Sequence, residues 1–168
     1  FNGFLENMAF VKLDGKYGFV NIKGELIIPC IYEAAQNFSE GLAAVKKNGK
    51  WGYIDKKGNI TIPFKYEHVS AFNDGLAAIS TNPFKSNQKW APYIEFGFIN
   101  KTGNSVFPEH FVDFIWNGKA PQHFFYNYFK DSVCIVMDLN EEFFILQSNG
   151  TKIKINSKLS FETYGSFY

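Results

Sequence analysis

A chain of 168 residues, 46% hydrophobic and 20% charged, has the size and balance of one domain with a substantial core, and no apolar run reaches the roughly 18 to 20 residues that a membrane-spanning helix needs. Its formal charge of +1 arises from 17 cations, all of them Lys, against 16 acids, and the absence of Arg, the usual reader of phosphate and guanine, argues against nucleic-acid binding. The aromatic share of 19%, with Phe 20, Tyr 9 and Trp 3, favours pleated, half-buried surfaces and hence strands.

The first element to stand out is a repeat. Residues 4–29 and 38–63 match position for position at a spacing of 34, and a third copy starts at Phe72 and runs to Pro108 once an insertion is set aside. A fixed period of this length marks tandem supersecondary units that bury their apolar surfaces against one another. The repeats are placed at about 4–37, 38–71 and 72–114, with a degenerate terminal repeat or cap over about 115–168, all within one domain, 1–168.

Each copy opens with an aromatic residue and a turn at Asn7, Gly41 or Gly75, where the exchange of Gly for Asn signals positive φ. A strand follows, such as Leu42 to Val45. Asp14-Gly15 and Asn48-Gly49 then predict tight hairpin turns with positive φ at both residues. The second strand comes at once: Tyr17 to Asn21, Trp51 to Asp55 and Phe96 to Asn100. Asn21, Asp55 and Asn100 stand three residues before Gly24, Gly58 and Gly103, the pattern of a type I turn. A short third strand is expected to end at Pro29, Pro63 and Pro108, where the missing N–H would stop the ladder.

Alternation places Trp51, Tyr53 and Asp55 on one face of the second strand and Gly52 and Ile54 on the other. Gly52 calls for a reason: either a large neighbouring side chain lies across it, or another backbone approaches closely. With apolar groups on both faces, one is expected to meet its own unit's interior and the other an adjacent unit. The fold class that follows is all-β: tandem antiparallel three-stranded units of about 34 residues, stacked as a solenoid-like or barrel-like array. A β-propeller is disfavoured, because a blade takes four strands and about 40 or more residues.

Lys50-Trp51-Gly52-Tyr53-Ile54-Asp55, with Phe38, Gly41, Gly58, Pro63 and Tyr66, resembles the WG-containing repeat, also called the KWG repeat. The resemblance covers about residues 4 to 114 in three copies. No Arg follows the Gly, which separates it from the nucleic-acid-linked WGR domain. The resemblance implies repetitive β structure in a bacterial protein, carries no assigned biochemical activity, and leaves the cell envelope or a secreted location open.

Between Ile79 and Phe96 the third copy carries eleven more residues than the second has between Val45 and Trp51, in the stretch 81–93. Insertions of this kind form loops at one end of a repeat array and are frequent binding elements. Phe84, Lys89, Trp90 and Tyr93 are the candidate ligand-binding residues, as an aromatic platform for a sugar or peptide; the alternative is a long hairpin whose Trp folds back on the sheet. Beyond Pro108, residues 115–120 echo the opening of the third copy and Phe143 to Leu146 with Gly150 echo its later strands, without the Gly of the WG pair. Phe124 to Phe129 reads as a buried strand or cap, or, if exposed, a partner interface.

No catalytic signature appears. His68, His110 and His123 are dispersed and read as lone surface residues, and no Cys lies near enough to complete a zinc site, so neither metal nor cofactor is expected. Cys30 and Cys134 read as buried free thiols, with one long-range disulfide as the alternative. Glu6, Glu40 and Asp74 recur before the opening turn and Glu33 and Glu67 after the third strand; they read as serving each unit's own turn, or as lining a cation-binding groove. The expectation is a non-enzymatic interaction module for a protein or peptide partner. The alternative is a carbohydrate or cell-wall binder with exposed aromatics, since the short hairpins look similar to choline- and glucan-binding repeats, whose period is shorter.

Overall fold

The computed structural model describes residues 3–81, 93–114, 132–138, 140 and 142–155. Among them there is no helix. The first sheet holds β1 (Met8–Leu13), β2 (Lys16–Asn21) and β3 (Leu26–Tyr32) in that order. The second holds β4 (Ala34–Ala35), β5 (Leu42–Lys47), β6 (Lys50–Asp55) and β7 (Ile60–Tyr66). The third is a seven-stranded sheet of β8 (His68–Val69), β9 (Leu76–Ser80), β10 (Tyr93–Asn100), β11 (Ser105–Phe114), β12 (Val133–Asp138), β13 (Phe143–Gln147) and β14 (Lys152–Lys154). All pairings are antiparallel and every strand order is open, so the array is a solenoid-like stack and not a barrel.

Turn chemistry sets the register. Asp14 (φ 49°) with Gly15 (78°) and Asn48 (51°) with Gly49 (75°) join the first and second strands with positive φ at both residues. Asn7 (66°), Gly41 (88°) and Gly75 (78°) confirm the left-handed opening turn. At the next corner the side chain of Asp55 accepts from the N–H of Lys57 and Asn59 at 2.9 Å each, and Gly58 closes the turn on the Asp55 carbonyl at 3.0 Å.

The glycine of the WG pair is explained by backbone approach. A Cβ built on Gly52 would stand 2.7 Å from the Ile62 carbonyl oxygen and 3.0 Å from the Phe64 nitrogen; at Gly18 the Ile28 oxygen would be at 2.4 Å. Register shifts in the pairing of the second and third strands fall at these glycines, so the third strand bulges across the bare backbone.

Two expectations are corrected. The third strand does not end at proline: β3 and β7 run on to Tyr32 and Tyr66. Both are edge strands, where the N–H that proline lacks has no ladder partner to serve. Pro108 sits inside β11, which pairs with β12 only later, at Phe111 and Val112. The three-stranded unit expected from the sequence is present, and the two-residue exit strands β4 and β8 add to it by pairing with the outer edges of β5 and β9 in the next sheet. The other correction is that neither of the first two sheets has an interior of its own. Each is a single layer: the first packs one face on the second, and the second packs one face on the first and the other on the third.

The joints between sheets are built alike. Met8, Phe19, Ile28 and Tyr32 of the first sheet pack on Phe38, Ala43, Val45 and Ile54. The opposite face of the second sheet, with Leu42, Tyr53, Ile62 and Tyr66, packs on Phe72, Ala77 and Ile99. Within the third sheet, Leu76, Phe98, Phe107 and Phe111 meet Cys134, Val136, Phe144 and Leu146, so this sheet folds over a core of its own. An edge-to-face ring pair seals the first joint, Phe19 with Phe38 at 4.9 Å, and its counterpart Tyr53 with Phe72 at 4.8 Å seals the second.

Candidate functional site

Of the four residues named from the insertion, Phe84, Lys89 and Trp90 lie outside the described residues, as do the segments 115–120 and 124–129 and His123. Tyr93 is the first residue of β10, opposite Phe114 in register. Only the later part of β10, Gly97 to Asn100, pairs with β9, so Tyr93 to Glu95 extend past the end of β9 on the side where the insertion enters.

The repeat aromatics do not form an open strip. Tyr53, Phe19 and Phe98 are fully buried, and Trp51 is half-buried against the second joint. Burial pushes the Tyr53 phenol well above its ordinary range, and its hydroxyl donates to the Ser70 carbonyl at 2.8 Å.

The recurring acids act between units. The Glu6 carboxylate accepts from the Gly41 N–H at 3.0 Å and pairs with Lys56 at 3.0 Å. Glu40 does the same for Gly75 (3.0 Å) and Lys101 (3.2 Å), and Asp74 accepts from the Ser132 N–H at 3.0 Å. Each acid therefore caps the opening turn of the following unit, not its own. Glu33 spans the hairpin pair, accepting from the N–H of Asn48 and Gly49 at 3.0 Å each, and Glu67 pairs with Lys50. Every carboxylate of both recurring sets has a structural partner. Among the described residues no group of three or more His, Cys, Asp or Glu is placed to hold a metal ion. His68 is half-buried in β8 and not on the surface, and burial holds its imidazole below the ordinary range. Cys30 and Cys134 are both free; Cys30 is partly exposed, and burial pushes the Cys134 thiol up to about 12.

These pairings have a pH signature. Burial acts to raise the Glu6 carboxyl, but the Lys56 ammonium and the Gly41 N–H outweigh it and hold the group below its usual range. The Asn59 side chain lowers Asp55 and the Lys50 ammonium lowers Glu67. A folded-state value below the unfolded one means stability that is complete above the unfolded carboxylate range and lost as pH falls through the folded values. Urea midpoints are expected to hold from pH 7 to about 5 and to fall below about 4. Asp55→Asn keeps the turn acceptor, as Asn21 and Asn100 do naturally, and is expected to flatten that fall. A midpoint independent of pH down to 3 would contradict the pairing.

Among the described residues, an exposed feature with a shape lies at the first sheet. An apolar groove of about 610 Å³ is lined by Gly3, Phe4, Ala9, Val11, Lys12 and Val20, among others. Phe4, Ala9, Val11 and Val20 stand 34 positions before Phe38, Ala43, Val45 and Ile54. Phe38 is 2% exposed and Phe72 1%, whereas Phe4 is 50% exposed. The groove is thus the joint face of the first sheet, left open. Reading the sequence for function passed over it because these residues match buried ones. The signal was there: Phe4 keeps the aromatic that the later copies carry at Phe38 and Phe72, and so predicts the same joint face.

A family model described as WG containing repeat matches residues 17–51 and again 51–90. No curated protein and no solved structure matches the chain. Among the described residues no helix is long and apolar enough to cross a membrane.

Proposed function

We propose, for a chain whose residues 17–90 are tandem WG-containing repeats, a non-enzymatic role: a rigid module that binds a protein or peptide partner on the open face of its first sheet. The observation that carries this reading is the apolar groove of about 610 Å³ around Phe4, Val11 and Val20. Its walls are the side chains that elsewhere in the same chain form buried joints, and contiguous exposed apolar surface of this kind marks an interaction site. The recurring carboxylates supply no opposing acid–base pair for catalysis, since they are engaged in holding turns and lysines.

Selection of a displayed peptide library on the intact protein tests the reading. Enriched peptides are expected to lose at least about tenfold in affinity, roughly 1.4 kcal/mol, when Val11→Glu places a charge in the groove, and to be indifferent to Trp90→Ala. Peptide binding untouched by Val11→Glu, or glycan-array binding abolished by Trp90→Ala, would overturn it and move the site to the insertion.

A further inference from the structure

The groove's likeness to the internal joints extends beyond its side chains, and it names the kind of partner that fits. Three further elements of the joint are open at the first sheet. The first is an edge. β5 and β9 have the exit strands β4 and β8 beyond them, with Ala34 opposite Lys46 and Ala35 opposite Val45, whereas β1 is the outermost strand of its sheet. The second is a corner. The turn glycines Gly58 and Gly103 stand over Ile28 and Ile62 of the preceding sheet, at 3.6 and 3.5 Å from a built Cβ, while a Cβ on Gly24 would meet nothing within 4 Å. The third is a turn. Gly41, Gly75 and Ser132 each donate to a carboxylate of the preceding unit, and Asn7 occupies the corresponding place in the first.

We propose that this end of the stack is the seat of one more sheet of the same repeat, laid on Phe4, Ala9, Val11 and Val20 as the first sheet is laid on Phe38, Ala43, Val45 and Ile54. The proposal rests on the reading of the groove as a protein-binding face and specifies its occupant. That occupant has three parts, each read from the internal joints. A ring in the place of Phe19 or Tyr53 packs edge-to-face on Phe4. An extended segment leaving its third strand pairs with the outer edge of β1 at Val11 and Lys12, adding a strand as β4 does at β5. A carboxylate in the place of Glu6 or Glu40 accepts from the Asn7 N–H.

One position distinguishes this joint from the internal ones. Lys56 and Lys101 reach back to the carboxylates Glu6 and Glu40, but the equivalent residue in the first unit is Ile22, which is 63% exposed. The seated unit therefore meets an aliphatic side chain where the others meet an ammonium, and its attachment is less sensitive to salt than the internal ion pairs are.

The test extends the full chain by a copy of residues 4–37 placed directly before Phe4, which preserves the period. Amides of β1 are expected to gain about tenfold or more in hydrogen-exchange protection, and the added unit to resist protease. Ala9→Glu in the original unit of the extended chain is expected to abolish both effects, while in the parent chain, where that face is open, the same change leaves the fold intact. An added unit that stays digestible, with β1 exchanging as in the parent, overturns the proposal even if peptides still bind the groove, in which case the binding reading stands without it. Seating of the unit by a parent chain that selects no peptide upholds the proposal and removes peptides as partners.

Discussion

Gly52→Ala is expected to destabilise the second sheet by about 2 to 3 kcal/mol, the scale of overpacking in a filled interior. The new methyl would stand 2.7 Å from the Ile62 carbonyl oxygen, 2.9 Å from a ring carbon of Phe64 and 3.0 Å from the Phe64 nitrogen. Two of those three atoms are backbone, so relief requires moving β7 and not a side-chain rotation. That movement would disturb Ile62, a fully buried residue of the second joint. Gly18→Ala faces the same geometry more tightly, with the Ile28 oxygen at 2.4 Å. The control is Gly49→Ala, where the added methyl meets nothing within 4 Å and only a φ of +75° opposes it, for about 1 kcal/mol. Urea unfolding, with hydrogen exchange at the β6 amides as the local readout, measures both. Equal effects at the two glycines would show that the bulge over the WG glycine is not its reason.

What could be read from the sequence was what local chemistry decides. Asp14-Gly15 and Asn48-Gly49 announce their turns because positive φ at two successive residues restricts the residue types to a few. Asp55 with Gly58 does so because a short side chain and its own backbone close the corner. Gly52 was half legible: alternation showed that something must approach it, and only the bulge shows that it is backbone. The acids were misread for a reason that belongs to repeats. Glu40 recurs with period 34, and a contact within the unit and a contact with the next unit recur identically, so periodicity alone does not separate Gly75 from a partner in the unit of Glu40. The same ambiguity concealed the groove. Phe4, Phe38 and Phe72 are one residue to the pattern, and only the stacking order separates the open one from the buried two.

That separation yields the other large effect. Phe38→Ala is expected to destabilise the protein by about 3 to 5 kcal/mol, because it empties a fully buried site and removes the edge-to-face contact with Phe19. Phe4→Ala, the same substitution at the same repeat position, is expected to change stability by less than about 1 kcal/mol, since half of the ring is already in water. Paired urea titrations of the two variants decide it. A comparable loss at both would mean that Phe4 holds its own unit together, and the groove would then be a packing surface with no room for a partner. The contrast carries over to the extended chain. Once a unit is seated on the first sheet, Phe4 comes to stand where Phe38 stands, and Phe4→Ala should rise toward the cost of Phe38→Ala. A side chain whose contribution depends on what is stacked against it is the mark of an interface residue, and the size of that rise measures how closely the occupant reproduces the joint between Phe19 and Phe38.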